Sequence, residues 1–187
     1  MKILAISGSL RADSLNTMLL HAAAEFAHGE VEFEVWDGLK AVPPYDQDDE
    51  DGTPPFAVAR LRSAIAEADA VLFATPEYNA SIPGVLKNAL DWVSRPFATN
   101  AMRNKPVAVV GASAGMFGAV WAQAELRKVL STMGARVADG DVVVGHAGDR
   151  FDEDGALNEP NLVEEVREVA LMLMAEPSPR SSKQLAA

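Results

Sequence analysis

The sequence contains no cysteine. Disulfides, thiolate metal centres and a cysteine nucleophile are therefore excluded. Positive charge is scarce: 16 Lys and Arg stand against 27 Asp and Glu, for a net charge of −11. Affinity for phosphate backbones and anionic bilayers comes from clustered Lys and Arg, so no nucleic acid and no membrane is expected as a partner. No apolar run approaches the roughly 18 residues of a membrane span. Residues 1–7 are too short for a signal h-region and lead into Gly8 and Ser9, so the expected location is cytoplasmic. What is present is an ordinary globular composition, 49% apolar and 23% charged over 187 residues. That length suits one domain with a well-buried core, expected over residues 1–176. Residues 177–187 read as a flexible C-terminal tail.

Strand and helix patterns alternate along the chain. Ile3-Leu4-Ala5-Ile6, Val71-Leu72-Phe73-Ala74 and the run from Val107 to Gly111 are short unbroken apolar runs, as expected of strands buried on both faces. Val31-Glu32-Phe33-Glu34-Val35 alternates strictly, and its acids can face water only on an edge strand. A further strand is expected near Val142-Val143-Val144. Helices are expected over about residues 14–28, with Leu15, Met18, Leu19 and Ala22 on one face, and around Val58, Leu61 and Ile65. Others are expected over 81–93, 119–133, and through Leu162, Val166, Val169 and Leu173. Residues 37–56, rich in proline and acid, read as a long loop. Five strands alternating with five helices imply an α/β fold, an open parallel sheet covered on both faces. Ligands of such sheets bind beyond the carboxyl ends of the strands, so the loops after the strands are the informative ones.

Three such loops stand out. Ser7-Gly8-Ser9-Leu10-Arg11-Ala12-Asp13-Ser14-Leu15-Asn16-Thr17 ends the first strand and opens a helix. Unpaired N–H groups and the positive end of the helix dipole converge there. Ser9, Ser14, Asn16 and Thr17 add short polar groups, and Arg11 adds a fork donor for phosphate. The pattern is neither G-x-G-x-x-G nor G-x-x-x-x-G-K-[ST]; a terminal monophosphate fits best. An ordinary N-cap at Asp13 or Ser14 beside a solvated Arg11 explains the same residues equally well. The second loop, Thr75 to Gly84, carries Pro76, Glu77, Tyr78 and Asn79 over the sheet edge, with Ser81 read as an N-cap. It suits a planar ligand, or simply a capped loop with a packed tyrosine. The third, Gly111-Ala112-Ser113-Ala114-Gly115-Met116-Phe117-Gly118, lets backbone approach a flat ligand, or is a glycine-rich turn. The coincidence of the three is more telling than any one.

Taken together, the motifs resemble the NADPH-dependent FMN reductase family, which includes bacterial quinone and chromate reductases. The resemblance rests on Ile6-Ser7-Gly8-Ser9-Leu10-Arg11 with Ser14 and Asn16, and on Pro76-Glu77-Tyr78-Asn79 with Pro83-Gly84, Leu86-Lys87-Asn88-Ala89 and Asp91-Trp92. The loop from Leu39 to Glu50, then Ser113, Gly115, Gly118, Gln123, Leu126-Arg127 and Leu130, continue it. It spans roughly residues 1–145. Trp121 departs from it, standing where the family often has Arg. The resemblance implies a flavodoxin-like three-layer sandwich with a five-stranded parallel sheet of order 2-1-3-4-5. It implies FMN as cofactor, with its phosphate on Ser9, Arg11, Ser14, Asn16 and Thr17. The ribityl chain and ring would then lie along Pro76, Glu77, Tyr78 and Asn79 and against the stretch from Ser113 to Gly115. The implied reaction is ping-pong: NADPH or NADH reduces FMN, and a quinone or similar small-molecule acceptor, with chromate, azo compounds and free flavin also open, takes the electrons. No catalytic side chain is then required, because the chemistry resides on the flavin; Glu77 reads as a structural hydrogen-bond partner. A homodimer or homotetramer is also implied, with Phe97, Met102 and the acidic loop facing a partner chain.

Competing readings differ in particular residues. A flavodoxin-type electron carrier shares fold and cofactor but typically lacks an Arg-bearing first loop. A receiver domain needs an Asp after the third strand, where Thr75 and Pro76 stand. A low-molecular-weight phosphatase needs a cysteine. A flavin-free scaffold remains the plainest alternative. No metal is expected: Asp46 to Gly52 does not fit a calcium loop, and His21, His28 and His146 lack a ligand spacing. The segments that carry the three loops, residues 1–20 and 70–128, together sum to +4 inside an acidic chain, which permits a small phosphorylated ligand.

Overall fold

The computed structural model describes residues 1–26, 31–140 and 142–175. The three apolar runs form the middle of one parallel sheet: β1 (Lys2–Ser7), β3 (Ala70–Ala74) and β4 (Pro106–Ala112). β3 and β4 are buried along their whole length, which an apolar run without alternation permits only in the centre of a two-faced sheet. β2 (Glu32–Trp36) pairs with β1 alone and is the edge. Its acids need water or a counter-ion, and Lys2 supplies one: the Lys2 Nζ lies 2.6 Å from Glu34 and 3.6 Å from Glu32.

Alternation within the central strands divides the core in two. Leu4, Ile6, Val71, Phe73, Val107 and Val109 pack toward α2 (Phe56–Glu67), α3 (Gly84–Val93) and α4 (Val120–Thr132). Ile3, Ala5, Leu72, Ala74, Ala108 and Val110 pack toward α1 (Leu15–Ala24) and α5 (Pro160–Ala175). A period of two on a strand forces this division. The order β2-β1-β3-β4 with the fifth position beyond β4 is the flavodoxin-like arrangement expected.

The structure differs from expectation in four places. The fifth position holds two short strands, β5 (Arg136–Val137) and β6 (Val142–Val144), both paired with β4. Arg127 of α4 lies at the interruption and donates to the carbonyls of Val109, Ala138 and Gly140, so a guanidinium fork replaces part of the ladder. The helix expected from residue 81 begins at Gly84, with Pro83 at the capping position. Ser81 instead pairs with Tyr78 in a tight turn. α1 ends at Ala24 and Glu25 and Phe26 form a turn, so the helix stops short of the expected end; residues 27 and 28, and the tail from 177, fall outside the described residues. Finally Met102, expected at a subunit contact, is fully buried in the core beneath α3 and α4. The Asn100 carboxamide turns the chain inward by accepting the Met102 N–H at 3.0 Å.

The acidic loop is anchored more firmly than its composition suggests. Asn88 accepts the Tyr45 N–H and donates to the Pro43 carbonyl, which also receives the Trp92 indole N–H. Tyr45 meets Trp92 edge-on, with ring centroids 5.2 Å apart. Glu50 pairs with Arg95 at 3.1 Å and takes the Tyr45 hydroxyl. These partners lie on and just after α3, so the loop follows the helix that begins beside the second binding loop.

Candidate active site

The sequence of each loop explains how it meets the others. After β1, Ser14 caps α1: its hydroxyl accepts the Thr17 N–H at 3.2 Å. This leaves the N–H groups of Leu15 and Asn16, in the first helical turn, without an intrahelical acceptor. Ser7 accepts the Ser9 N–H and the Thr17 hydroxyl, and Ser9 accepts the Arg11 N–H at 3.3 Å. The loop therefore curls on its own hydroxyls, and each of Ser9 and Ser14 keeps an O–H free to donate. The Arg11 guanidinium is exposed and has no carboxylate partner among the described residues.

Asn16 is 3% exposed. Its carboxamide donates to the Ala112 carbonyl at 2.9 Å and accepts the Ala112 N–H at 3.0 Å. Read from sequence as a phosphate donor, it is in the structure a strap between the first loop and the end of β4. Thr17 has likewise committed its hydroxyl to Ser7.

The second loop makes a two-residue turn. Tyr78 and Ser81 exchange both backbone hydrogen bonds, at 3.0 and 3.2 Å. Asn79 and Ala80 between them have φ of 56° and 59°, the pair of left-handed conformations a type I′ turn needs. Ala80 is an uncommon residue there, and such strain tends to gather at functional sites. One carboxylate oxygen of Glu77 accepts the N–H groups of Trp121 and Ala122, both at 3.0 Å. These are the N2 and N3 positions of α4, whose own N-cap, Ala119, has no side chain to offer. Glu77 thus caps from another loop the helix that follows the third loop, and its charge sits at the positive end of that helix. A second carboxylate reaches the opposite way, Glu125 of α4 accepting the Ile82 N–H at 3.4 Å.

The third loop is pinned to the chain after β6. Ser113 and Gly115 carbonyls accept the N–H groups of Ala147 and His146, each at 3.0 Å. Gly118 has φ +52°, and a Cβ there would lie 2.5 Å from the Val143 side chain, so only glycine fits.

Between the three loops lies a cleft of about 210 Å³ at the carboxyl ends of β1, β3 and β4. Ser9, Arg11, Ser14 and Asn16 line one side, Pro76, Glu77 and Tyr78 a second, and Ser113 a third. Eight of the expected residues thus come together; Thr17, Asn79 and Gly115 are not among the lining residues. Ala114, inside the expected stretch 113–115, lines it too, as do Leu15 and Ala112, which sequence reasoning did not single out. The signal for Ala112 was its place at the end of the buried strand β4, but alanine carries no chemistry of its own. The donor set suits an organic monophosphate: an unpaired guanidinium, two hydroxyls and free N–H groups at one end, backbone and a tyrosine at the other.

Comparison with known proteins identifies the family. The NADPH-dependent FMN reductase family matches residues 1–149. An NAD(P)H-dependent FMN reductase of Pseudomonas aeruginosa is 44% identical over 158 residues, covering 83% of this chain and 84% of that protein. A 2-hydroxy-1,4-benzoquinone reductase of a Burkholderia species is 40% identical over 156 residues, with 83% and 84% covered. Among solved structures, the flavoenzyme NAD(P)H:(acceptor) oxidoreductase FerB of Paracoccus denitrificans superposes with a TM-score of 0.82. It is 34% identical, with 92% of this chain and 94% of that one covered. Three converging loops, their donor chemistry and these likenesses give one conclusion: the chain belongs to the NADPH-dependent FMN reductase family.

Proposed function

We propose that the cleft over β1, β3 and β4 holds FMN and that the protein passes electrons by a ping-pong route from NAD(P)H to a quinone. The family assignment makes it an FMN-dependent, NAD(P)H-using oxidoreductase with small-molecule acceptors. The residue assignments, the quinone and the assembly are our reading. The observation that carries it is the convergence of Arg11, which has no carboxylate partner among the described residues, with the open first turn of α1 in the same cleft as Tyr78 and Ser113.

Bound there, FMN supplies hydride acceptance from NAD(P)H and electron delivery to the acceptor. The chain's residues bind and orient it. Arg11, the Ser9 and Ser14 hydroxyls and the Leu15 and Asn16 N–H groups neutralise and grip the phosphate. Asn16 and Thr17 hold that loop in shape through Ala112 and Ser7. Pro76, Glu77, Tyr78 and Asn79 form one wall for the ring; Ala112, Ser113 and Ala114, followed by Gly115, form the other. The Glu77 carboxylate, occupied by two N–H groups, fixes the distance between the walls. The same reading treats residues 1–176 as one catalytic unit and places it in the cytoplasm, where NAD(P)H is supplied. It also expects a homo-oligomer with Phe97, 48% exposed, near a subunit contact. No helix of the described residues is long and apolar enough to cross a membrane.

The test is a visible spectrum of purified protein after FMN addition, then NADPH and NADH oxidation with a quinone. Bound flavin with quinone-dependent turnover is expected. Bound flavin without turnover would make the protein a carrier, and no flavin binding at all would refute the site.

A further inference from the structure

Beside the cleft, outside its lining, stands a pair of exposed aromatic rings. Phe117 and Trp121 are 53% and 49% exposed, with ring centroids 4.9 Å apart and planes tilted by 59°. Burial drives aromatic side chains inward, so two in contact at a surface are a site feature when the backbone holds them there. Here it does. Gly118 and Ala119 take successive left-handed conformations, φ +52° and +63°, and the Val120 N–H closes a turn on the Phe117 carbonyl at 3.1 Å. The Trp121 N–H is then fixed by Glu77, which itself lines the cleft. The wall is therefore one hydrogen bond from the flavin site proposed above.

We infer that Phe117 and Trp121 form an acceptor-selecting wall that favours flat, uncharged aromatic acceptors, such as quinones, over small oxyanions. This rests on the proposed function and narrows its acceptor. Two observations carry it. Tilted aromatic rings offer a face and an edge to a third ring. And the start of α4, which would otherwise attract an anion through its unpaired N–H groups and dipole, is already filled by the Glu77 carboxylate on Trp121 and Ala122. An oxyanion meets there a carboxylate that already holds the Trp121 and Ala122 N–H groups, whereas a neutral ring meets apolar surface.

The experiment compares FMN-loaded wild type, Trp121→Ala and Trp121→Arg at saturating NAD(P)H, with an uncharged naphthoquinone and with chromate, a small oxyanion. Expected in Trp121→Ala is a rise of about three- to tenfold in the quinone KM, the scale of one lost ring contact, with kcat held. The preference for quinone over chromate falls accordingly, and falls further in Trp121→Arg. An unchanged preference in both variants overturns the inference. So does a variant whose oligomeric state, read by light scattering, changes while its preference does not, since the wall would then be a contact between copies.

Wild type that binds FMN yet reduces neither acceptor refutes the proposed function, and the wall is then decided by binding. Trp36 and Trp92 are 5% and 1% exposed, so surface quenching reports Trp121. Saturable quenching by the naphthoquinone that disappears in Trp121→Phe supports the wall. Equal quenching in both proteins overturns it.

Discussion

Replacing Asn16 with alanine tests the central claim about how the cleft is built. Asn16 is read as the tie between α1 and β4, joining residues 96 apart in sequence. Both partners are buried, Asn16 at 3% and Ala112 at 2% exposure. Alanine leaves the Ala112 N–H and C=O without that partner, and an orphaned buried polar group costs about 1–3 kcal/mol. Water entering from the adjoining cleft recovers part of this. The expected loss is therefore about 2–4 kcal/mol for the pair, or about 4–16 °C in Tm for a chain of this size. The assay is urea unfolding of FMN-free protein followed by tryptophan emission. FMN affinity should fall as well, because the first and third loops are no longer tied. Asn16→Asp separates the two bonds: at neutral pH its carboxylate still accepts the Ala112 N–H but repels the carbonyl. Protonation restores a donor, so its deficit relative to wild type should shrink in acid. A change below about 0.5 kcal/mol in Asn16→Ala, the usual range for surface sites, would refute the strap.

Other substitutions probe other parts of the same construction. Arg11→Ala should weaken FMN by about 1–3 kcal/mol, the worth of a charge-assisted hydrogen bond; an unchanged fluorescence titration would remove Arg11 from the phosphate site. Glu77→Ala uncaps α4 and should cost about 1–2 kcal/mol in unfolding experiments. Glu77→Gln, which keeps an acceptor oxygen but no charge, should lie between it and wild type. Gly118→Ala forces a left-handed alanine against Val143, and a loss above about 1 kcal/mol is expected; no loss would mean the turn relaxes. The hydrogen bond to Glu34 holds the Lys2 ammonium above the usual lysine value of 10.5. A raised folded pKa gives stabilisation that is complete below pH 10.5 and lost as pH rises through the folded value. The stability gap between wild type and Lys2→Met should therefore close in strong alkali, and a gap that persists there would assign it to packing.

Element identity was legible where one local pattern decides it. Unbroken apolar runs named β1, β3 and β4, and the alternating acids of residues 31–35 named the edge strand. The donors of the first loop were legible too, because residue type alone suggests phosphate chemistry. What the sequence hid were partnerships across distance. Asn16 looks like a ligand until Ala112 is found beside it. The start of α3 was misread because Ser81 is a good N-cap by type, yet Tyr78 and two left-handed residues claim it for a turn. α4 shows no cap in its own sequence because Glu77, more than forty residues earlier, provides it. The break between β5 and β6 was equally hidden: Arg127 creates it from a helix, and three valines at 142–144 say nothing of it.

That break has a consequence for how copies of this chain can meet. An open sheet normally ends in rows of unpaired N–H and C=O groups, to which another sheet can add. Here one edge is two fragments of two and three residues, parted where Arg127 occupies carbonyls that a neighbour would need. The other carries Glu32 and Glu34 beside Lys2. A second sheet would have to evict a guanidinium at one side or bury carboxylates at the other. Strand addition is thereby disfavoured at both edges, and the cleft, which stands over the central strands β1, β3 and β4, is independent of strand exchange.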